Sequence, residues 1–191
     1  MSDYIIGSDE VGTGAWAGPF FVCAVAVLKL WKGPEGLTDS KDLTPTQRVA
    51  LYQHLHALPL SIMSVESTMI DSHGLRPTLV DAHTGAIQAL LARFPDADVV
   101  VDGVMQLPLL PRARCVPKAD ALFPAVSAAS VIAKVNRDFV MQGYATQYPG
   151  YGFGTNVGYR SALHEQGLAR LGPCPIHRRS YAPIKKLLEK T

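Results

Sequence analysis

The sequence predicts an α/β domain with a mixed sheet, on three observations. Short β-branched runs open the chain, later strands interleave with segments of helical periodicity, and two of the strands end in carboxylates followed by glycine. With 191 residues, 48% of them hydrophobic and 18% charged, the chain suits one domain with a sizeable core. Residues 1–191 are therefore read as a single domain.

Taken in order, Tyr4-Ile5-Ile6 is a short apolar strand leading into Gly7-Ser8-Asp9-Glu10-Val11-Gly12-Thr13-Gly14. Phe20 to Leu28 is β-branched and aromatic throughout, as a buried central strand would be, and pairs with the first. A polar loop from Trp31 to Leu43 follows. Thr44-Pro45 is a helix start, with a capping hydroxyl before proline at the first helical position, and the helix runs to about His56. Leu60 to Ser67 alternates like a strand. Pro77 to Phe94 places Leu79, Val80, Ala86, Ile87, Leu90 and Leu91 at helical spacing. Asp98 to Gly103 is a short apolar strand closed by an acid and a glycine, Arg114-Cys115-Val116 a weak strand, and Phe123 to Tyr148 a long helix.

Several classes are excluded. The longest apolar run, Phe20 to Leu28, is too short to cross a bilayer, and Met-Ser-Asp-Tyr lacks the basic flank and apolar core of a signal peptide. Cys23, Cys115 and Cys174 stand apart with no Cys-x-x-Cys pair, so neither a zinc site nor a disulfide framework is expected. A reduced, cytoplasmic protein follows, and nothing demands more than a monomer. Residues 158–191 hold seven basic and two acidic residues, a net +5 that leaves −3 for the rest of a chain of net +2. Such a tail is either a nucleic-acid surface or a solvated helix face.

The chemistry gathers at carboxylates. Asp9-Glu10 ends the first strand and Asp102 a later one, and ligands of open α/β sheets collect beyond such strand ends. Ser130, Lys134 and Asp138 fall at four-residue spacing along one side of the long helix, amid Ala128, Ala129, Val131, Ile132 and Ala133. Lys134 and Asp138 are either an exposed i, i+4 pair or part of a functional face. Four carboxylates meeting without a basic partner repel one another unless a cation binds. Hard divalent ions take oxygen ligands, and two of them form an engine for phosphodiester displacement. Adjacent strand residues point to opposite faces, so Asp9 and Glu10 serve one site only if the strand twists or breaks, which Gly12 and Gly14 permit.

At this point the chain resembles ribonuclease HII. The resemblance is carried by Asp9-Glu10-Val11-Gly12-Thr13-Gly14 with Ala17-Gly18-Pro19, by Thr38-Asp39-Ser40-Lys41-Asp42-Leu43, and by Val101-Asp102-Gly103. It continues through Ala128 to Asp138, Tyr148-Pro149-Gly150-Tyr151-Gly152-Phe153, Gly158-Tyr159, and Ile176-His177-Arg178-Arg179-Ser180-Tyr181-Ala182-Pro183. The blocks keep the family's order over nearly the whole chain.

What the resemblance implies is a ribonuclease H-like fold, a central mixed sheet flanked by helices, with a helical C-terminal region from about 150 to 191 beside the substrate groove. It implies an endoribonuclease that cuts RNA in RNA/DNA hybrids and 5′ of ribonucleotides embedded in duplex DNA, in ribonucleotide excision repair and DNA replication. Two divalent ions, Mg2+ or Mn2+, would be held by Asp9, Glu10, Asp102 and Asp138, with Asp9 shared, and the products would be 5′-phosphate and 3′-hydroxyl ends. Gly12-Thr13-Gly14 would read the ribose 2′-hydroxyl, which distinguishes RNA from DNA, and Tyr159 would pack on the sugar. Lys41, Ser130 and Lys134 would contact phosphates, and Arg178-Arg179 would extend the basic track or hold the tail. Asp120 is expected to be structural or supporting, and His177 a core histidine.

One position departs from the pattern: Thr13 stands where ribonuclease HII usually has arginine. Gly-Thr-Gly resembles ribonuclease HIII, which carries an extra N-terminal substrate-binding domain; only eight residues precede Asp9, so none is expected here. Alternative readings are ribonuclease HIII-like preference for hybrid tracts, a catalytically silent hybrid-binding module, and a junction resolvase, which the Gly-x-Gly loop and Tyr159 disfavour. Pro183 to Leu188 shows no glutamine-led, aromatic-ended sliding-clamp motif.

Overall fold

The longest uninterrupted apolar run, Phe20–Leu28, forms β2, buried along all but its last residue. It lies in a five-stranded sheet of order β3-β2-β1-β4-β5 in the computed structural model, which describes residues 3–189. Of the residues read above, Met1, Ser2, Lys190 and Thr191 lie outside that range.

Strand β1 (Tyr4–Val11) is longer than its apolar start suggests. It pairs antiparallel with β2 from Tyr4↔Leu28 to Val11↔Phe21, so Asp9 and Glu10 are strand residues rather than loop residues. The ladder is made by the backbone, which pairs regardless of the polar side chains it carries. β4 (Asp98–Asp102) runs parallel to β1 with Ser8 level with Val101, one step short of Asp9 and Asp102. β5 (Arg114–Val116) is parallel to β4.

Helix α1 (Pro45–Leu55) begins at the predicted cap: the Thr44 hydroxyl accepts from Gln47 N–H while the Gln47 side chain returns to Thr44 N–H. β3 (Leu60–Val65) stops earlier than the expected Ser67 because Glu66 starts a helix, α2 (Ser67–His73), that the alternation had hidden. α3 (Leu75–Leu91) starts ahead of Pro77, which sits in the first turn where its missing N–H has no partner to lose. A 3-10 turn (Ala119–Ala121) precedes the long α4 (Pro124–Gln147). α5 (Phe153–Asn156), α6 (Ala162–Leu171) and α7 (Ala182–Leu188) form the helical C-terminal region.

The chain divides into two compact units. The first comprises residues up to Val11, Phe21–Met63 and Leu79–Val135; the second comprises Gly12–Phe20, Ser64–Thr78 and everything from Asn136 on.

In the first unit α4 crosses β1 at Gly7. A β-carbon added there would lie 2.4 Å from the backbone of Ala125 and Val126, so only glycine allows the approach. Ala125, Ala128, Ala129 and Ala133 on the helix are buried, small enough to permit it. Val100, Ala119 and Val126 pack together under Ile5, Val116 and Phe123. Each such buried aliphatic contributes about 1.5–3 kcal/mol relative to exposure.

The second unit has its own core of Ala17, Met141, Tyr151, Phe153, Leu168, Cys174, Ile176 and Ile184. A histidine relay runs through it. His164 donates from Nδ1 to the Tyr159 carbonyl (2.8 Å), His177 donates from Nε2 to His164 Nε2 (3.0 Å), and Cys174 N–H donates to His177 Nδ1 (2.9 Å). Two neutral tautomers satisfy the whole chain. Burial lowers the His164 ring, and burial plus its neighbour pushes His177 down to about 4, so both are uncharged at neutral pH. His177 is thus a satisfied core residue.

Candidate active site

Alternation along β1 distributes its polar residues to two faces. Gly7 and Asp9 meet α4; Ser8 and Glu10 meet α3. Asp9 is 4% exposed and hydrogen-bonded by Ser130 of α4, whose hydroxyl lies 2.8 Å from that of the buried Ser40. This couple ties the Thr38–Leu43 loop to the acid. Arg48 of α1 braces the same loop from Nη1 to the carbonyls of Ser40 (2.8 Å) and Leu43. Glu10 N–H donates to Asp9 Oδ1 at 2.7 Å.

Asp102 ends β4, where Ala119 N–H donates to its Oδ1 at 2.7 Å and Gly103, at φ +96°, turns the chain away. Asp120 is buried and hydrogen-bonded to Asp39; burial, then Asp39 and Asp102, raise its carboxyl. The supporting role expected of Asp120 fits this position.

Burial, then Glu10 and, behind it, Asp102, push Asp9 up to about 8 against the stabilising bonds from Ser130 and Glu10 N–H. A carboxyl held this far above its ordinary value marks negative charge that lacks compensation. Lys41 supplies a little: partial burial pulls its ammonium down, but Asp39, Asp9, Asp120 and Asp102 outweigh that and hold it above the ordinary lysine range. Its side chain is 79% exposed, with Nζ 3.6 Å from Asp39. Among the described residues no three acidic, histidine or cysteine side chains close on one point at ligand distance. The donor set itself, hard carboxylate oxygens with an excess of negative charge, fits a divalent cation.

The second unit contains the glycine loop. Gly12, at φ +92°, lies against Arg137: a β-carbon there would stand 2.1 Å from Nε. The exposed Gly14 has more room, with the Tyr159 ring 3.9 Å from where a β-carbon would be. Tyr159 is therefore beside the Gly-x-Gly turn, and the Arg137 guanidinium lies 5.3 Å from its ring centroid. Trp16 and Ala17 N–H both donate to the Gly158 carbonyl, stapling the turn before Tyr159 to the loop.

Arg178 is fully buried and spends its donors on the loop: Nη1 to Thr13 O (2.7 Å) and Tyr181 Oη (2.9 Å), Nη2 to Gly12 O (2.7 Å) and Gly18 O (2.9 Å), and Nε to Gly18 O (3.1 Å). These bonds tie the tail to the loop. Arg179 is exposed; its N–H and that of Ser180 cap Asp71 at 2.9 Å. Lys134 and Asp138 are half-buried on α4, in the first and second units respectively.

Sequence reading missed His83, Asp39, Ser40 and Arg137. His83 carried a signal, since it falls four residues after Leu79 and four before Ile87, on the inward stripe of α3.

A ribonuclease H2 from Pyrococcus horikoshii OT3 has this chain trace, at 27% identity and a TM-score of 0.77 over 98% of each chain. A Bst ribonuclease HIII also has it, at 21% identity and a TM-score of 0.77, over 99% of this chain and 70% of that one. The fold class is therefore that of the ribonuclease H-like nucleases. A family model described as ribonuclease HII matches residues 6–184. Ribonucleases HII of Halorhodospira halophila and Streptomyces avermitilis are 41% and 44% identical over 96% of this chain and 94% and 78% of theirs. The chain belongs to the ribonuclease HII family, endoribonucleases that hydrolyse the RNA strand of RNA/DNA hybrids.

Proposed function

We propose that this enzyme cuts both RNA tracts in hybrids and the 5′ side of ribonucleotides embedded in duplex DNA, by metal-assisted phosphodiester hydrolysis that leaves 5′-phosphate and 3′-hydroxyl ends. The observation that carries this reading is Asp9, buried, crowded by Glu10 and Asp102, and raised to about 8. Asp9, Glu10, Asp102 and Asp138 would hold the two divalent ions, Mg2+ or Mn2+. When bound, the ions supply an activated water and charge stabilisation at the leaving oxygen.

The chain's own residues do the rest. Ser130 and Glu10 N–H hold the Asp9 carboxylate, and Ala119 N–H holds that of Asp102. Asp138 is assigned as fourth ligand by its motif. The backbone of Gly12-Thr13-Gly14 recognises the 2′-hydroxyl, with Tyr159 against the sugar; the Tyr159 ring, 3.9 Å from where a β-carbon on Gly14 would be, supports the pairing. Lys41, Ser130, Lys134 and Arg179 meet phosphates. The setting is the cytoplasm, in ribonucleotide excision repair and replication, with the enzyme acting as a monomer.

Thr13 favours a second reading, ribonuclease HIII-like preference for tracts, because it brings no cation to the loop. A duplex with one embedded ribonucleotide and a duplex with a long RNA tract decide between them. Comparable kcat/KM on the two supports the first reading; cleavage of the tract alone supports the second.

A further inference from the structure

Ser8 and Glu10 are alternate residues of β1 and so share a face, and His83 of α3 is fully buried against both. His83 Nδ1 lies 2.9 Å from Ser8 Oγ, and Nε2 lies 3.2 Å from Glu10 Oε2. Ser8 Oγ is also 3.0 Å from the Cys23 carbonyl. A carboxylate only accepts, so Nε2 carries the ring proton and donates to Glu10 Oε2, while Nδ1 accepts from the Ser8 hydroxyl, whose proton is shared with the Cys23 carbonyl. The ring is thereby fixed at one end to the β2 backbone and presents its other nitrogen to Glu10.

We propose that His83 is a positioning residue for Glu10, holding Oε2 so that the carboxylate is already oriented for a divalent cation at Oε1. This rests on the reading of Glu10 as a metal ligand. Asp9 and Glu10 leave β1 on opposite faces, and a glutamate has three rotatable bonds with which to wander. Both ring nitrogens of His83 are engaged, in a line from the β2 backbone to the acid. Residues that orient metal ligands typically change metal affinity ten- to a hundredfold when removed.

The test is Mn2+ titration calorimetry on the full chain, with melting temperature recorded for each variant. His83→Leu is expected to weaken Mn2+ binding by about ten- to a hundredfold, and His83→Gln, whose amide still donates to Glu10, to recover it to within about threefold of wild type. Ser8→Ala, which removes the anchor of Nδ1, should fall between them. A folded His83→Leu protein that binds Mn2+ like wild type overturns the proposal, as does a glutamine variant no better than leucine. If His83→Leu does not fold, unchanged affinity in Ser8→Ala overturns it instead. Glu10→Gln separates the two readings. No loss of Mn2+ affinity there removes Glu10 as a ligand and the proposal with it; a loss there with His83→Leu intact removes the role of His83 alone.

Discussion

In the unit built on the sheet, Asp9, Asp102, Asp39 and Asp120 crowd together beside the exposed ammonium of Lys41, and Asp9 rises to about 8. In the other unit two cations are buried and the solution differs. Arg178 is fully buried, yet its hydrogen bonds run to the carbonyls of Gly12, Thr13 and Gly18 and to one tyrosine hydroxyl. Arg137, held down to about 10 by burial and still charged at neutral pH, donates to Pro19 and Ala17 carbonyls. Carbonyl dipoles satisfy a guanidinium permanently without neutralising it. Carboxylates facing one another satisfy nothing, and their charge waits for something that arrives from solution. The acidic unit is built to be completed; the buried guanidiniums are met by carbonyls, with Arg137 Nη1 left without a hydrogen-bond partner.

The largest effect that tests this contrast is Asp102→Asn. Turnover should fall about a thousandfold or more, the several kcal/mol a metal centre supplies, while hybrid affinity by gel shift changes little. Near-normal turnover would break the assignment of the acids to chemistry. Excess chelator should abolish turnover in the unmodified enzyme.

The loop offers an internal control. Gly12→Ala drives a β-carbon into Arg137 at a backbone angle that suits glycine, and should cost about 3 kcal/mol, roughly 6–12 °C in melting temperature for a chain of this length. Gly14→Ala has room, so stability should stay within about 0.5 kcal/mol while KM for hybrid rises severalfold. Equal losses of stability would show that Arg137 does not support the loop as described.

The pH dependence of the metal-free protein sharpens the contrast further. Asp9 titrates near 3.8 when unfolded and about 8 when folded, so its contribution to stability is full below pH 4 and is lost as pH rises through 8. His177 acts in the opposite sense: with 6.5 unfolded and about 4 folded, its contribution is present above pH 6.5 and is lost as pH falls toward 4. From about pH 4 to 6.5 the two oppose each other. From 6.5 to 8 Asp9 acts alone, and stability in chelator should decline by up to about 1.4 kcal/mol per pH unit. Asp9→Asn should flatten that decline in a thermal melt series; a slope that persists in the variant would remove Asp9 as its source. The smallest effect expected is at Thr13→Arg, a severalfold gain in affinity for DNA-RNA junctions that disappears as salt is raised.

Much of this was legible in the chain. β2 and the α1 cap announce themselves through a β-branched and aromatic run and a Thr-Pro pair, signals that are local and strong. β1 was under-read because Ser8, Asp9 and Glu10 look like a turn, and what makes them a strand is the ladder to β2, whose facing residues Ala24, Cys23 and Val22 come well after them in the chain. α2 was left unread, its first residue Ser67 taken into β3, because Glu66, its cap, has no hydroxyl or short carboxylate to advertise itself. The four acids and the Gly-x-Gly loop stood out by residue type. Their supports did not, because burial is a tertiary property that residue type alone does not announce for Arg137, Arg178 or His83.

Gly7 carries a consequence for accuracy. Asp9 hangs from β1 and Ser130 from α4, and those two elements meet backbone to backbone, with no side chain between them to flex or repack. The spacing of the serine and the acid is set by covalent geometry and van der Waals radii, so heating or surface mutation should barely alter it. A single methyl group at position 7 would reset it by prying the helix off the strand. The least functional-looking glycine in the chain is therefore the gauge to which the most perturbed acid is held.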